Sequence, residues 1–406
     1  MKNLRLIGFL MMLASSALFV NCTSDPVAGP AGPAGTAGID GLDGIDGLDS
    51  TADCRACHSN EHRDPIKEAY ANSVHGIGML QDDGSRNQHV YGEVGSGYHI
   101  VCSRCHSNEG FIDQIMTGSF NPNGYASVSS ISCTGCHDVV NGHRSFDFAA
   151  DGNDYSLRTL DPVALLISEE AGQELIIDVT NDSDLLGKSN TCVNCHQPRG
   201  AAPTFAAPDS KIMFTSEDRF GGHHGVQSTL FEGIQGAEIA GDIAYPLRGS
   251  SPHREGSSCV NCHMSESSDA STGDHTWNPT LDACNKCHSG TTSYDRNGFQ
   301  TEILANLEEL EALLVDKITG QEVAVTGQDA EGVDIYEGVF EADGTTPVMF
   351  TGLSDNDRIR PGIYDLGYYQ AYWNLNFITE DLSEGVHNPD YSEALLLNSI
   401  QYLENN

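Results

Sequence analysis

Twelve of the chain's 13 cysteines fall into six Cys-x-x-Cys pairs, and each pair is followed at once by histidine. They are Cys54, Cys57 and His58; Cys102, Cys105 and His106; Cys133, Cys136 and His137; Cys192, Cys195 and His196; Cys259, Cys262 and His263; and Cys284, Cys287 and His288. From the cysteine and histidine content, chance supplies about 0.02 copies of this pattern in a chain of such length. Two thiols three positions apart lie on one turn, where both can add to the two vinyl groups of one porphyrin. The adjacent imidazole then reaches the iron as its proximal ligand. Structural zinc knuckles and redox disulfides also use Cys-x-x-Cys, but neither needs histidine at the next position every time. The expectation is six covalently bound haem c groups, each with iron.

The chain has 406 residues, 20 Lys+Arg against 58 Asp+Glu and a formal charge of −38. Such a surface repels phosphate backbones and anionic headgroups, which argues against nucleic acid and against charge-driven membrane binding. Membrane attachment is expected by another route. Lys2 and Arg5 precede an apolar run from Ile7 to Val20, the pattern of a secretory signal and too short for a spanning helix. Residues 1–21 read as a signal peptide. Cys22 then stands where bacterial lipoproteins carry their acylated cysteine, although Asn21 replaces the usual small residue; a plain signal-peptidase site, leaving Cys22 a free thiol, is the alternative. From Gly29 to Asp49 run seven Gly-x-y triplets. That period is collagen-like, but no triplet has Pro in its third position, so residues 22–52 read as a lipid-anchored tether, with trimerisation as the sharper alternative.

Residues 53–296 form the expected hexahaem domain, with about one haem for every 39 residues between the first and last motifs. At that density the haems make up much of the core. The predicted fold class is mainly α and irregular, with short helices at the motifs and longer C-terminal helices. Turn-rich intervals such as Asn121-Pro122-Asn123-Gly124 and Gly249-Ser250-Ser251-Pro252 agree. Residues 297–406 read as a helical region packing on the haems. Ile303, Leu307, Leu310 and Leu314 recur at helical spacing, with Leu304 and Leu313 widening the stripe. Ile318 to Phe350 reads as turns or a small hairpin, Pro361 to Leu382 as an aromatic helix, and Asn388-Pro389 as the start of a last helix whose face carries Tyr391, Leu395, Asn398 and Tyr402.

A low-spin haem needs a second axial ligand, and ten of the 16 histidines lie outside the motifs. Ten suffice for six irons. Met264, beside a proximal histidine, is therefore not needed as a ligand.

The motifs and their surroundings resemble the multihaem cytochromes c related to cytochrome c554, ammonia-forming nitrite reductase and hydroxylamine oxidoreductase. The surroundings are Asn72-Ser73-Val74-His75-Gly76, Cys105-His106-Ser107-Asn108-Glu109-Gly110-Phe111, His223-His224-Gly225-Val226-Gln227, Cys262-His263-Met264 with His275-Thr276-Trp277, and Gly385-Val386-His387-Asn388-Pro389. The resemblance implies distal ligation by His75, His224, His275 and His387. His143 and His253, each six positions from a motif, complete the distal set. His99 and His223 are reserves, and His62 and His89 read as surface or propionate-bonding residues.

Two kinds of function follow. Six irons with both axial positions filled would pass single electrons between redox partner proteins, other cytochromes or quinol-linked donors. A reductase of nitrite, hydroxylamine or a similar small substrate needs one open iron face with proton donors or cations. The related nitrite reductases attach their active haem through Cys-x-x-Cys-Lys; here Lys286 lies inside the last motif, not after it. Arg158, Arg199, Arg219, Arg358 and Arg360 are scattered in sequence. Electron transfer at the cell envelope, in the periplasm or on the outer membrane, is the expectation. A subunit of a conducting filament, with a histidine completing a site in the next copy, is a further alternative.

Overall fold

The computed structural model describes residues 60–81, 84–138, 157–168, 171–202, 211–214, 218–219, 222, 225–267, 269, 271–319, 324–328, 334–337, 358–359 and 362–406. All of them belong to one compact unit, Cys57–Asn406. The expected signal peptide, Cys22 and the tether lie outside the described residues. Among those described, no helix is long and apolar enough to cross a membrane.

The motif-bearing segment is short helices set in loops. After α1 (Asn60–Asn72) comes α2 (Val74–Ile77), whose cap Ser73 accepts the Gly76 N–H at 3.1 Å. The second to fourth motifs involve α3 (Ser103–His106), α5 (Cys133–Cys136) and α6 (Asn190–Val193), with α4 (Asn108–Thr117) following α3 directly. Then come α7 (Gln227–Glu232), α8 (Pro252–Gly256), α9 (Cys259–His263) and α10 (Leu281–Asn285), the last two carrying the fifth and sixth motifs. In three motifs the histidine N–H closes the turn on the carbonyl of the first cysteine: His137 to Cys133 at 2.8 Å, His196 to Cys192 at 2.9 Å and His288 to Cys284 at 2.8 Å. That single turn puts both thiols and the imidazole on one small patch.

Neighbouring motifs are tied by buried polar side chains. Asn108 accepts the Ser132 N–H at 3.1 Å and donates to the Thr134 hydroxyl at 3.1 Å, joining the second motif to the third. Gly110 and Gly135 permit the approach: a Cβ at Gly110 would lie 2.4 Å from the Ser103 carbonyl oxygen, and one at Gly135 would lie 2.8 Å from Asn108 Oδ1. Ser189 Oγ accepts the Val260 N–H at 3.1 Å, and buried Asp184 accepts the Lys188 and Ser189 N–H groups at 3.0 and 2.9 Å, joining the fourth motif to the fifth. Arg158 donates to the Thr134 and Gly135 carbonyls and to Asp138 at 2.7, 3.1 and 2.8 Å, so this arginine braces the third motif.

Among the described residues strands are few, all in two-stranded antiparallel ladders. They are β1 (Met79–Leu80) with β2 (Arg86–Asn87), β3 (Val163–Ala164) with β4 (Ile176–Ile177), β5 (Lys211–Phe214) with β10 (Gly362–Asp365), β6 (Asp218–Arg219) with β9 (Arg358–Ile359), and β7 (Ala324–Gln328) with β8 (Asp334–Glu337). The β7–β8 pair is the hairpin expected between Ile318 and Phe350. A small apolar cluster of Leu165, Ile167, Ile177, Val179, Val193 and Phe231 lies beside β3, β4 and α6.

The larger core belongs to α11 (Phe299–Thr319), α12 (Leu366–Asp381) and α13 (Pro389–Asn405). Ile303, Leu310 and Leu314 of α11 pack with Tyr372, Trp373, Leu375 and Phe377 of α12 and with Tyr391, Leu395 and Leu396 of α13. Val226, Leu230, Ala237 and Ile239 join them from the middle of the chain. Two expectations need correction. Leu304 is 43% exposed, because it follows Ile303 by one residue and the helix turns it off the buried stripe. The segment expected to be helical from Pro361 starts its helix only at Leu366; Gly362–Asp365 is strand, paired with a partner about 150 residues upstream that no local periodicity reveals. Asp365 caps α12 by accepting the Gly367 N–H at 3.0 Å. Gly367 is required, since a Cβ there would lie 2.0 Å from the Tyr402 ring.

Candidate functional site

The histidines meet in pairs. His75 and His196 have ring centroids 6.1 Å apart, His137 and His275 6.2 Å, His253 and His288 6.0 Å, and His263 and His387 6.1 Å. Each pair joins one motif histidine to one non-motif histidine. A metal–imidazole bond is about 2.0 Å and the ring centre sits about 1.2 Å behind the donor nitrogen, so two imidazoles on opposite sides of one metal have centroids about 6.4 Å apart. All four separations fit that spacing.

The second ring nitrogen is engaged as in a metal-ligating histidine. His196 Nδ1 donates to Gln227 Oε1 at 3.2 Å, His253 Nδ1 to the Val386 carbonyl at 2.6 Å, and His263 Nδ1 to the Trp277 carbonyl at 2.8 Å. His275 Nδ1 meets Asp274 at 2.6 Å, and His387 Nδ1 meets Asp381 at 2.7 Å. These bonds leave Nε2 as the donor atom of each ring.

Burial favours the neutral, ligating form of four of these rings. Burial and then the neighbouring His196 push the His75 imidazole down to about 4. Burial also lowers His196, His263 and His288. His387 differs: burial pulls it down, but the charge and hydrogen bond of Asp381 outweigh that and hold it above its ordinary value. Among the described residues the motif thiols are unbridged. The neighbouring Cys259 thiol beside Cys192 and the Cys105 thiol beside Cys195, together with burial, push Cys192 and Cys195 well up.

The pairs form a series through shared side chains. Trp277 stands edge-on to His75 at 4.6 Å and to His275 at 5.4 Å while its carbonyl holds His263, so one residue touches three of the four pairs. Its φ of 55°, rare for a bulky residue, turns the carbonyl and the ring toward different pairs. Gln227 bonds His196 through its oxygen and the Asp381 carbonyl through its nitrogen at 3.3 Å, linking the His75/His196 pair to the His263/His387 pair. Val386, whose carbonyl holds His253, directly precedes His387 and links the last two pairs.

Of the expected distal residues, His75, His253, His275 and His387 thus lie opposite motif histidines. His143, His223 and His224 lie outside the described residues, as do Cys54, Cys57 and His58, and His62 has no described side chain. His99 stacks on Tyr91 at 5.1 Å, and the same tyrosine stands edge-on to His106 at 5.3 Å. His89, expected away from the irons, pairs with the Tyr91 hydroxyl at 3.1 Å. The supporting residues Trp277, Gln227 and Asp381 were not expected from the sequence. Trp277 and Gln227 stand in the same short segments as candidate histidines, which was a usable signal; Asp381 is one acid among 58 Asp+Glu and offered none.

The donor sets fit haem c wherever they are described: two thiols and an imidazole on one turn, and in four cases a second imidazole across from the first.

No family model and no curated protein matches the chain. Among solved structures it is similar to the outer cell wall cytochrome OcwA at a TM-score of 0.39 and 18% identity, over 74% of this chain. The similar part spans 44% of that cytochrome, less than half its length.

Proposed function

We propose that the chain is a multihaem c-type cytochrome that transfers electrons through six low-spin haems ligated by histidine on both faces, exported to the bacterial cell envelope and active in anaerobic or extracellular respiration. Haem c, when bound, supplies one-electron chemistry at iron. The chain's own part is to hold paired imidazoles and to exclude a vacant axial position.

The observation that carries this reading is the set of four imidazole pairs at 6.0–6.2 Å. In each, the motif histidine is the proximal ligand and its partner the distal one: His196 with His75, His137 with His275, His288 with His253, and His263 with His387. His58 and His106 take their distal partners from His143 and His224, with His99 and His223 in reserve. Cys22 is the lipidation site and the Gly-x-y segment the tether. Redox partners are other cytochromes or quinol-linked donors.

Mass spectrometry and electron paramagnetic resonance test the proposal. The mass is expected to include six haems, and the oxidised protein only low-spin iron. The imidazole planes are near-perpendicular in two pairs, 88° and 80°, and closer to parallel in the others, 33° and 39°. Perpendicular ligand planes leave two iron d orbitals nearly degenerate, so two classes of low-spin signal are expected, at least two haems in each. His75→Ala converts one haem to high spin. One high-spin iron in the unaltered protein, with nitrite- or hydroxylamine-dependent oxidation, would replace this reading with a reductase.

A further inference from the structure

We infer that Asp381 makes the His263/His387 site the most reducing of the four paired sites, so that its haem is the last to accept an electron. The inference rests on the proposed haem ligation and concerns what sets the sites apart.

The four sites share one ligand chemistry and differ in what holds the far nitrogen of each ring. The His253 ring gives its Nδ1 proton to a backbone carbonyl, and His196 gives its proton to a neutral amide oxygen. Two rings face carboxylates, His275 with Asp274 and His387 with Asp381. Those carboxylates are not equivalent. The Asp274 side chain is 51% exposed, so water screens its charge, whereas the Asp381 side chain is 0% exposed. Asp381 is fully hydrogen-bonded by local donors. Its Oδ2 accepts the Ser383 hydroxyl and the Ser383 N–H, the latter at 3.2 Å, while Oδ1 accepts the His387 Nδ1–H at 2.7 Å. A buried negative charge on the far side of an axial imidazole pushes electron density toward the metal and stabilises the oxidised state. The other ligand of the site, His263, is held by the Trp277 carbonyl, which carries no net charge to oppose this.

The test is a spectroelectrochemical titration of the full-length protein. Its signal for this site is the one that His387→Ala converts to high spin. In Asp381→Asn the hydrogen bond can persist without the charge, and the midpoint of this haem is expected to rise on the order of tenfold in the reduction equilibrium, about 59 mV for a one-electron couple. Asp274→Asn is expected to move its own site by less. Ser383→Ala removes the hydroxyl that competes for the carboxylate and is expected to shift the same haem downward. A residue that merely held the ligand in place would shift it in the same direction in both variants. The inference is overturned if six low-spin haems are present and Asp381→Asn moves none of them, if it moves all of them alike, or if Asp274→Asn has the larger effect. Fewer than six haems in the unaltered protein would instead overturn the proposed function.

Discussion

The C-terminal helices and the motif-bearing segment bury different things. In α11, α12 and α13 the interior is Leu, Ile, Trp, Tyr and Phe, in mutual contact. From Ser73 to α10 many of the buried side chains are polar, among them Ser103, Ser107, Asn108, Asp184 and Asn190, while the motif cysteines are only partly buried or exposed. The first region carries its own hydrophobic driving force; the second, on the proposed reading, completes its interior with haem.

The sharpest way to break that contrast is to withhold the haems. Chain produced without haem attachment is expected to lose amide protection across α3, α5, α6, α9 and α10 but to keep it in α12 and α13, as measured by hydrogen exchange. Equal protection in both regions would show that the motif segment needs no haem. Next in size is Leu395→Ala, which truncates a side chain with 0% exposure. Denaturant unfolding should place the loss at about 2–5 kcal/mol, with haem content and spin state unchanged. Gly367→Ala forces a methyl into the Tyr402 ring; the expected cost is roughly 1–3 kcal/mol in the same assay.

A pH experiment sharpens the comparison further. Burial pushes the Tyr245 phenol up to about 12, and Tyr391 is also raised. Unfolded tyrosine ionises near pH ~10, so above that pH the unfolded chain holds fewer protons than the folded one and stability falls as pH rises. The helical core should therefore weaken from about pH 10 toward 12, and Tyr245→Phe should flatten the decline measured by circular dichroism. The smallest effect expected is that of Gln227→Ala, about 0.5–1.5 kcal/mol. That variant should also perturb the low-spin signals of the His196 and His387 sites together, because Gln227 bonds to His196 and to the main-chain carbonyl of Asp381, whose carboxylate holds His387; a change at only one of them would remove the proposed link.

Legibility differs between the regions as well. The helix from Asn388-Pro389 was readable because caps and apolar spacing act within a few residues: Asn388 accepts the Tyr391 N–H at 3.3 Å, and Tyr391, Leu395 and Asn398 are all buried. The strand Gly362–Asp365 was not, since its partner is Lys211–Phe214. Among the candidate ligands, His75, His275 and His387 are legible from their surroundings and His253 from its distance to the next motif, but which motif histidine each faces is not, because His75 meets His196 and His387 meets His263 only after the chain has folded.

By itself the sequence determined the number and spacing of the thiol pairs and the histidine beside each, because two thiols and an imidazole that act on one porphyrin must lie within one turn. Only the tertiary structure decided which imidazoles face each other, that Trp277 touches three pairs, and that Asp381 is the carboxylate sealed against one of them. Those are matters of distance and dielectric between groups far apart in the chain, and neither quantity exists until the chain has packed.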